Sequence, residues 1–478
     1  MKILFLSVPF TWAINPETPP IGIADLSAVA KKSGYNAKAI DMWKYNEAQV
    51  KEAIKKEAPD VIGTSCMTTE RFSSYKLVKW VKEVNPKIKV IVGGSHASCF
   101  PEQVFKLSPA DVIVMGEGEE TMLELLDAFE KDKTDLSNIK GIAFMKNGKL
   151  VKTEPRPFIK NLDKLPFPAY EDFDLKNYVN RFPDDTTNPK YKKLFKKLKG
   201  ISVMTSRGCP WRCAFCSITT SWKRTWRARS PKNTVDLIEH LYKNFGIRMF
   251  NFFDDNFNVD NRRVIEICRE IIKRKLKIYW NVQARVDTLN EETLRWMKKA
   301  GCYLIRFGVE SGSQTILDNL QKDARVESII KVFKIIKKVG LESNVHIIVG
   351  NPGENEKTIN ETINLIKIVK PDMVSTFGLF ILPGTPLYER AKKEGLIDDN
   401  YWQKDSEPPL YTGSLTEDQI RMYVYKIQSS FEKGKGTLNY IKYLARNIKA
   451  RINRPGDILK YGIKILKTEL LKKPVASS

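Results

Sequence analysis

No run of about 18 uninterrupted apolar residues occurs in this sequence, which excludes a transmembrane helix. The apolar opening Met1-Lys2-Ile3-Leu4-Phe5-Leu6 has no small-residue cleavage site after it. It reads as a first buried strand rather than a signal peptide, and the chain is expected in the cytoplasm. Cysteine is scarce and unevenly placed, seven in 478 residues, which excludes a disulfide scaffold. Cys66, Cys99, Cys268 and Cys302 are scattered and read as small core residues, whereas Cys209, Cys213 and Cys216 fall together. Acidic residues are outnumbered, 56 Asp plus Glu against 80 Lys plus Arg, for a formal charge of +24. That excess fits either a lysine-rich surface or an anionic partner, and it says nothing about fold. Internal repeats and low-complexity segments are absent. What is present is a globular composition, 42% hydrophobic and 28% charged, in a chain long enough for roughly three domains.

Periodicity divides the chain. Residues 1–145 alternate short apolar runs with helical patterns, which predicts an α/β domain with a parallel sheet covered on both faces. Residues 146–200 lack sustained periodicity and read as a linker or cap. They include a hairpin turning at Asn147-Gly148, a proline-punctuated segment and a lysine run from Lys190 to Lys199. From 201 to 387 the alternation restarts, with strands expected at 201–205, 249–253, 279–282, 304–308, 343–349 and 373–381. Six βα units are too few for a full eight-fold barrel and fit a partial (β/α)6 barrel, open on one side. Residues 388–478 turn helical and basic, with Ile441, Leu444, Ala445, Ile448 and Ile452 forming one apolar stripe and Leu459, Ile463, Leu466 and Leu470 a second beyond Pro455.

The strongest chemical signal is Cys209-Pro210-Trp211-Arg212-Cys213-Ala214-Phe215-Cys216, a CxxxCxxC spacing just after the first strand of the second unit. A structural zinc site needs four ligands, and the next His or Cys is His240. A [4Fe–4S] cluster held by thiolates tolerates three protein ligands and keeps its fourth iron open.

On this motif and the segments after it, the chain resembles the radical S-adenosylmethionine (SAM) superfamily. The resemblance implies that the open iron chelates SAM, which one electron from the cluster cleaves to a 5′-deoxyadenosyl radical. It also implies roles for residues at strand ends. Asp254 and Asp255, in Phe252-Phe253-Asp254-Asp255-Asn256-Phe257, would face the SAM methionyl amine. Arg285 would meet its carboxylate. Glu310 and Ser311, in Gly308-Val309-Glu310-Ser311-Gly312-Ser313, would reach the ribose or methionyl group, and Gly350 the adenine. Leu382-Pro383-Gly384-Thr385-Pro386 follows the sixth strand.

The first unit resembles the cobalamin-binding Rossmann-like domains that precede many radical SAM barrels. The matching residues are Ser65 after one strand, Gly93-Gly94 with His96 after the next, Gly116-Glu117-Gly118 after a third, and the opening Pro19-Pro20-Ile21-Gly22. Glycine at a strand end lets a bulky nucleotide tail lie against backbone. In one respect the chain departs from corrinoid domains that ligate cobalt from below: the loop from Pro9 to Pro20 holds no histidine, and the chain has only His96, His240 and His346. The expectation is cobalamin with its own base displaced, no histidine on cobalt, and His96 beside the tail.

Together these resemblances imply a class B methylase-like enzyme that functionalises an unactivated carbon, most simply by methyl transfer from methylcobalamin. Oxidative cyclisation, ring formation or carbon–carbon coupling with the same cofactors is the alternative, and a non-catalytic corrinoid carrier or sensor a third reading. The expected partners are a small-molecule or lipid substrate and an electron donor such as flavodoxin or ferredoxin. Nucleic acid is not expected. The basic C-terminal helices would either pack on the barrel or touch an anionic inner membrane surface.

Overall fold

The computed structural model describes residues 1–9, 18–178 and 182–452. Five parallel strands, β1 (Lys2–Leu6), β2 (Asn36–Ile40), β3 (Val61–Ser65), β4 (Lys89–Gly93) and β5 (Val112–Val114), form the first sheet in the order β2-β1-β3-β4-β5. Strand alternation sends successive residues to opposite faces. Ile3, Phe5, Val61 and Ile91 thus pack under helices Ile21–Lys32 and Glu119–Glu130, while Leu4, Leu6, Ile62 and Val90 pack under Glu47–Glu57 and Arg71–Val84. Both faces are covered, as the sequence pattern predicts.

The hairpin expected in the connecting segment belongs instead to this sheet. β6 (Ile142–Lys146) pairs antiparallel with β5, and β7 (Lys149–Lys152) closes the edge. Asn147 and Gly148 both take positive φ, 51° and 73°, as a two-residue hairpin turn with matching twist requires.

The second sheet begins with β8 (Lys199–Val203). A two-stranded ribbon of β9 (Ser206–Arg207) and β10 (Arg227–Ala228) follows, and then β11 (Ile247–Phe252), β12 (Tyr279–Ala284), β13 (Cys302–Glu310), β14 (Glu342–Val349) and β15 (Met373–Gly378). The order β8-β11-β12-β13-β14-β15 is parallel throughout, and β8 and β15 are the two edges, so the sheet is an open half-barrel. Helices such as Asn261–Lys273 and Val326–Val339 cover its convex face, and Phe182 and Phe195 from the preceding segment pack with Met249, Tyr303 and Leu304.

The polypeptide after β15 returns to the first unit. Arg71 donates to the carbonyls of Trp402 and Lys404, and Gln103 to that of Asp399. Helix Glu417–Gly434 then packs on β15, and helix Thr437–Ile452 follows, with Ile441 exposed. The second stripe lies outside the described residues. Among the described residues no helix is long and apolar enough to cross a membrane.

Candidate active site

The cysteine loop runs between β9 and β10, at the carboxyl ends of the half-barrel strands. Gly208 starts it with φ +85°, and a Cβ there would fall 2.0 Å from the Thr225 carbonyl, so the sharp exit admits only glycine. The carboxylate of Asp255 accepts from the Gly208 amide at 2.8 Å, and the Ala214 amide donates to the Leu320 carbonyl. Cys213 is buried and Cys209 and Cys216 are half-buried, none in a disulfide. Burial raises the thiols of Cys209 and Cys216, the latter to about 12. Arg285 Nη1 lies 3.7 Å from the Cys213 sulfur, and the amide of Asn256 lies 3.9 Å from that of Cys209. No three His, Cys, Asp or Glu among the described residues converge on a single-ion geometry. A cuboidal cluster makes no such demand, because each thiolate takes its own iron. Three thiols beside a guanidinium, on a braced loop, fit that group.

Of the residues singled out at strand ends, Asp255 and Arg285 touch this loop, Asp254 holds the residues just before it, and Glu310, Ser311 and Gly350 are engaged by partners of their own. Asp254 is buried, and its carboxylate accepts from the Thr205 amide, the Thr205 hydroxyl and the Ser206 hydroxyl; it braces the start of the loop. Burial pushes Asp255 up to about 6. Arg285 is held by Asp287 at 2.8 Å and by the Lys322 carbonyl, and its guanidinium faces the Trp211 ring. Ser311 pairs with Thr362. Glu310 sits at a bulge of β13 with φ 66°, a conformation that costs a non-glycine residue free energy, and pairs with buried Lys322 at 2.8 Å. Gly350 takes φ +98° and donates to Glu354. Its neighbour Asn351 keeps a buried carbonyl oxygen without a partner, as does Asn256. Asn256 lies within a strand-end segment and Asn351 beside Gly350, whereas Lys322 carries no sequence signal.

A cavity of about 440 Å3 opens at the carboxyl ends of β1, β3, β4 and β5 and extends toward the half-barrel. Ser65, Gly93, Gly94, Gly116, Glu117 and Gly118 line it, as do Met204, Arg207 and Trp222 from the second unit. The hydroxyl of Thr64, also on its wall, is buried without a partner. A largely apolar cleft with glycines along one wall and an unsatisfied hydroxyl fits a nucleotide tail. His96 is not on this wall. It is fully buried against Phe100 and Trp402, both ring nitrogens unpartnered, and burial lowers its pKa to about 3. The short helix Ser95–Cys99 turns its side chain away from the cleft, toward the returning segment around Trp402, which adjacency to Gly93-Gly94 did not disclose.

Glu117 has a further part. Arg207 pairs with it at 2.7 Å, with Asp25 at 3.3 Å and with Glu119 at 2.6 Å, and Arg227 adds a second contact to Glu117 at 2.8 Å. All five side chains are buried. Arg207 and Arg227 face each other across β9 and β10, the base of the cysteine loop.

A family model for the radical SAM superfamily matches residues 203–366, and one for the B12 binding domain matches residues 11–126. The uncharacterized methyltransferase PH0819 of Pyrococcus horikoshii is 31% identical over 443 residues, 90% of this chain and 92% of the relative. The anaerobic magnesium-protoporphyrin IX monomethyl ester cyclase of Rubrivivax gelatinosus is 31% identical over 390 residues, 78% of this chain and 67% of the relative. Among solved structures, the cobalamin-dependent S-adenosylmethionine radical enzyme OxsB with aqua-cobalamin bound matches with a TM-score of 0.71 at 20% identity, over 90% of this chain and 67% of that chain. The radical S-adenosylmethionine methyltransferase TsrM from Kitasatospora setae, with cobalamin and a [4Fe–4S] cluster bound, matches at 0.68 and 18% identity, over 82% and 75%. These two share the fold.

Proposed function

This chain belongs to the radical SAM superfamily and carries a B12-binding domain, and from that premise we propose that it methylates an unactivated carbon of a small molecule. Its cofactors are a [4Fe–4S] cluster, SAM and cobalamin, which when bound supply a 5′-deoxyadenosyl radical and a transferable methyl group. The observation that carries the reading is the shared wall: Arg207, two residues before Cys209, lines the corrinoid cleft, so radical and methyl chemistry would meet at one mouth.

The chain's own residues supply placement. Cys209, Cys213 and Cys216 would hold the cluster, and Arg285 offsets thiolate charge beside Cys213. Asp254 and Asp255 brace the loop. Glu310, Gly350 and the free carbonyls of Asn256 and Asn351 would receive SAM. Gly93, Gly94, Gly116, Gly118, Ser65 and Thr64 would cradle the cobalamin tail, with no histidine on cobalt. An electron donor of the flavodoxin or ferredoxin kind would supply the electron that the cluster needs. Anaerobically reconstituted protein, incubated with SAM, cobalamin, reductant and cell extract, is expected to release 5′-deoxyadenosine and a product heavier by one CH2. A product that has lost hydrogens instead overturns methyl transfer in favour of cyclisation. Absence of 5′-deoxyadenosine overturns the radical reading altogether.

A further inference from the structure

The concave face of the half-barrel carries side chains that none of the roles above uses. Residues such as Val203, Phe252, Val282 and Phe307 pack under the helices, so their neighbours in the alternation face the lumen. At its floor Asn251 donates to Ser202 at 3.0 Å, and Arg306 donates to Asn281 at 2.5 Å and pairs with Asp185 at 2.6 Å. Gln283 on β12 stands level with Arg306, and His346 on β14 stands one layer above them, both partly exposed. Neither side chain makes a hydrogen bond among the described residues. Phe253, directly after β11 and in the layer of Gln283, is 51% exposed, and Phe377 on β15, one layer beyond His346, is 52% exposed. Phe377 stands edge-on to His346, ring centroids 6.0 Å apart.

Apart from the groups assigned to SAM, the guanidinium of this chamber is already spent: Arg306 pairs with Asp185. A charged ligand would have to displace one member of a pair and leave the other uncompensated, which is costly in a half-buried site. Burial lowers the His346 pKa, so its imidazole is neutral at pH 7, and it offers one donor and one acceptor. Gln283 offers the same pair of functions. Exposed aromatic rings want a flat apolar partner. Resting on the proposed small-molecule methylation, we infer that the half-barrel lumen is the substrate chamber and that the substrate is an uncharged molecule with a flat apolar body, seated between Phe253 and Phe377, and an amide- or lactam-like head hydrogen-bonded by Gln283 and His346.

The test uses three matched probes on the full-length reconstituted protein, measured by calorimetry: 2-naphthylacetamide, 2-naphthylacetate and 2-(2-naphthyl)ethylammonium. The amide is expected to bind at least about tenfold tighter than either charged probe, and Gln283→Leu and His346→Phe each to weaken the amide by about tenfold. Thermal unfolding of each variant verifies that it is folded. Equal affinity for the three probes, no saturable binding of any, or amide binding unmoved in both folded variants overturns the inference. The wild-type 5′-deoxyadenosine assay separates this outcome from the enzyme reading: radical formation with no preference for the amide overturns the ligand class alone.

Discussion

Cys213 is the deepest of the three thiols, and the only one with a guanidinium against its sulfur. Cys213→Ala removes one of three donors, for which the loop has no substitute. Iron retained after anaerobic reconstitution is expected to fall sharply and 5′-deoxyadenosine formation by more than about 100-fold, measured by iron assay and chromatography. Glu310 raises a different question, because its backbone φ of 66° is unfavourable and its carboxylate is tied to Lys322. Glu310→Gln leaves a buried ammonium without its counter-charge, and is expected to lower unfolding free energy by about 3 kcal/mol in urea titrations and to weaken SAM binding in equilibrium dialysis. The cysteines were legible from spacing alone. Lys322 was not, since a lone lysine in a lysine-rich chain carries no signal until the fold brings it to Glu310.

At the scale of elements, strands and helices were legible because burial on two faces writes near-continuous apolar runs for strands and a 3.6-residue stripe for helices. The β6–β7 hairpin was legible as a hairpin but not as part of the first sheet, because its pairing with β5 rests on backbone groups that no side-chain pattern reports. The β4–helix junction is a tight point beside the corrinoid cleft. Gly94 takes φ +98°, and an alanine Cβ would sit 2.7 Å from the Cys66 carbonyl oxygen and 2.9 Å from its nitrogen. Both contacts are with backbone, so nothing flexible can give. Gly94→Ala is expected to cost about 2 kcal/mol or more in urea unfolding and to release cobalamin, followed by its visible absorbance after gel filtration.

At the scale of the whole molecule, the two units are joined where their chemistry would meet. Arg207 and Arg227 at the base of the cysteine loop reach Asp25, Glu117 and Glu119 at the edge of the corrinoid cleft. Arg207→Met strands buried carboxylates and is expected to cost about 3–5 kcal/mol of stability by chemical denaturation and to lower cobalamin and iron content together, unlike a cysteine variant, which affects iron first. The same network sets a pH dependence. Burial, only partly offset by Arg207, raises the Asp25 carboxyl to about 6. The folded state therefore holds this proton more tightly than the unfolded chain, so the group's contribution to stability is greatest in acid and falls as pH rises from about 4 to 6. Against wild type, Asp25→Asn is expected to gain relative stability across that window, by an amount on the order of 3 kcal/mol, read from urea midpoints at each pH.

The sequence by itself determined the alternation of strands and helices, the half-barrel count and the cysteine triplet, because periodic burial and ligand spacing are local properties of a chain. Tertiary structure alone decided which charges meet. Arg207 and Glu117 lie far apart in sequence, His96 turns away from the glycines beside it, and Gln283 and His346 face one chamber only because two strands lie near each other. Pairing of polar groups depends on distance and desolvation in three dimensions, and a linear pattern of residue types encodes neither.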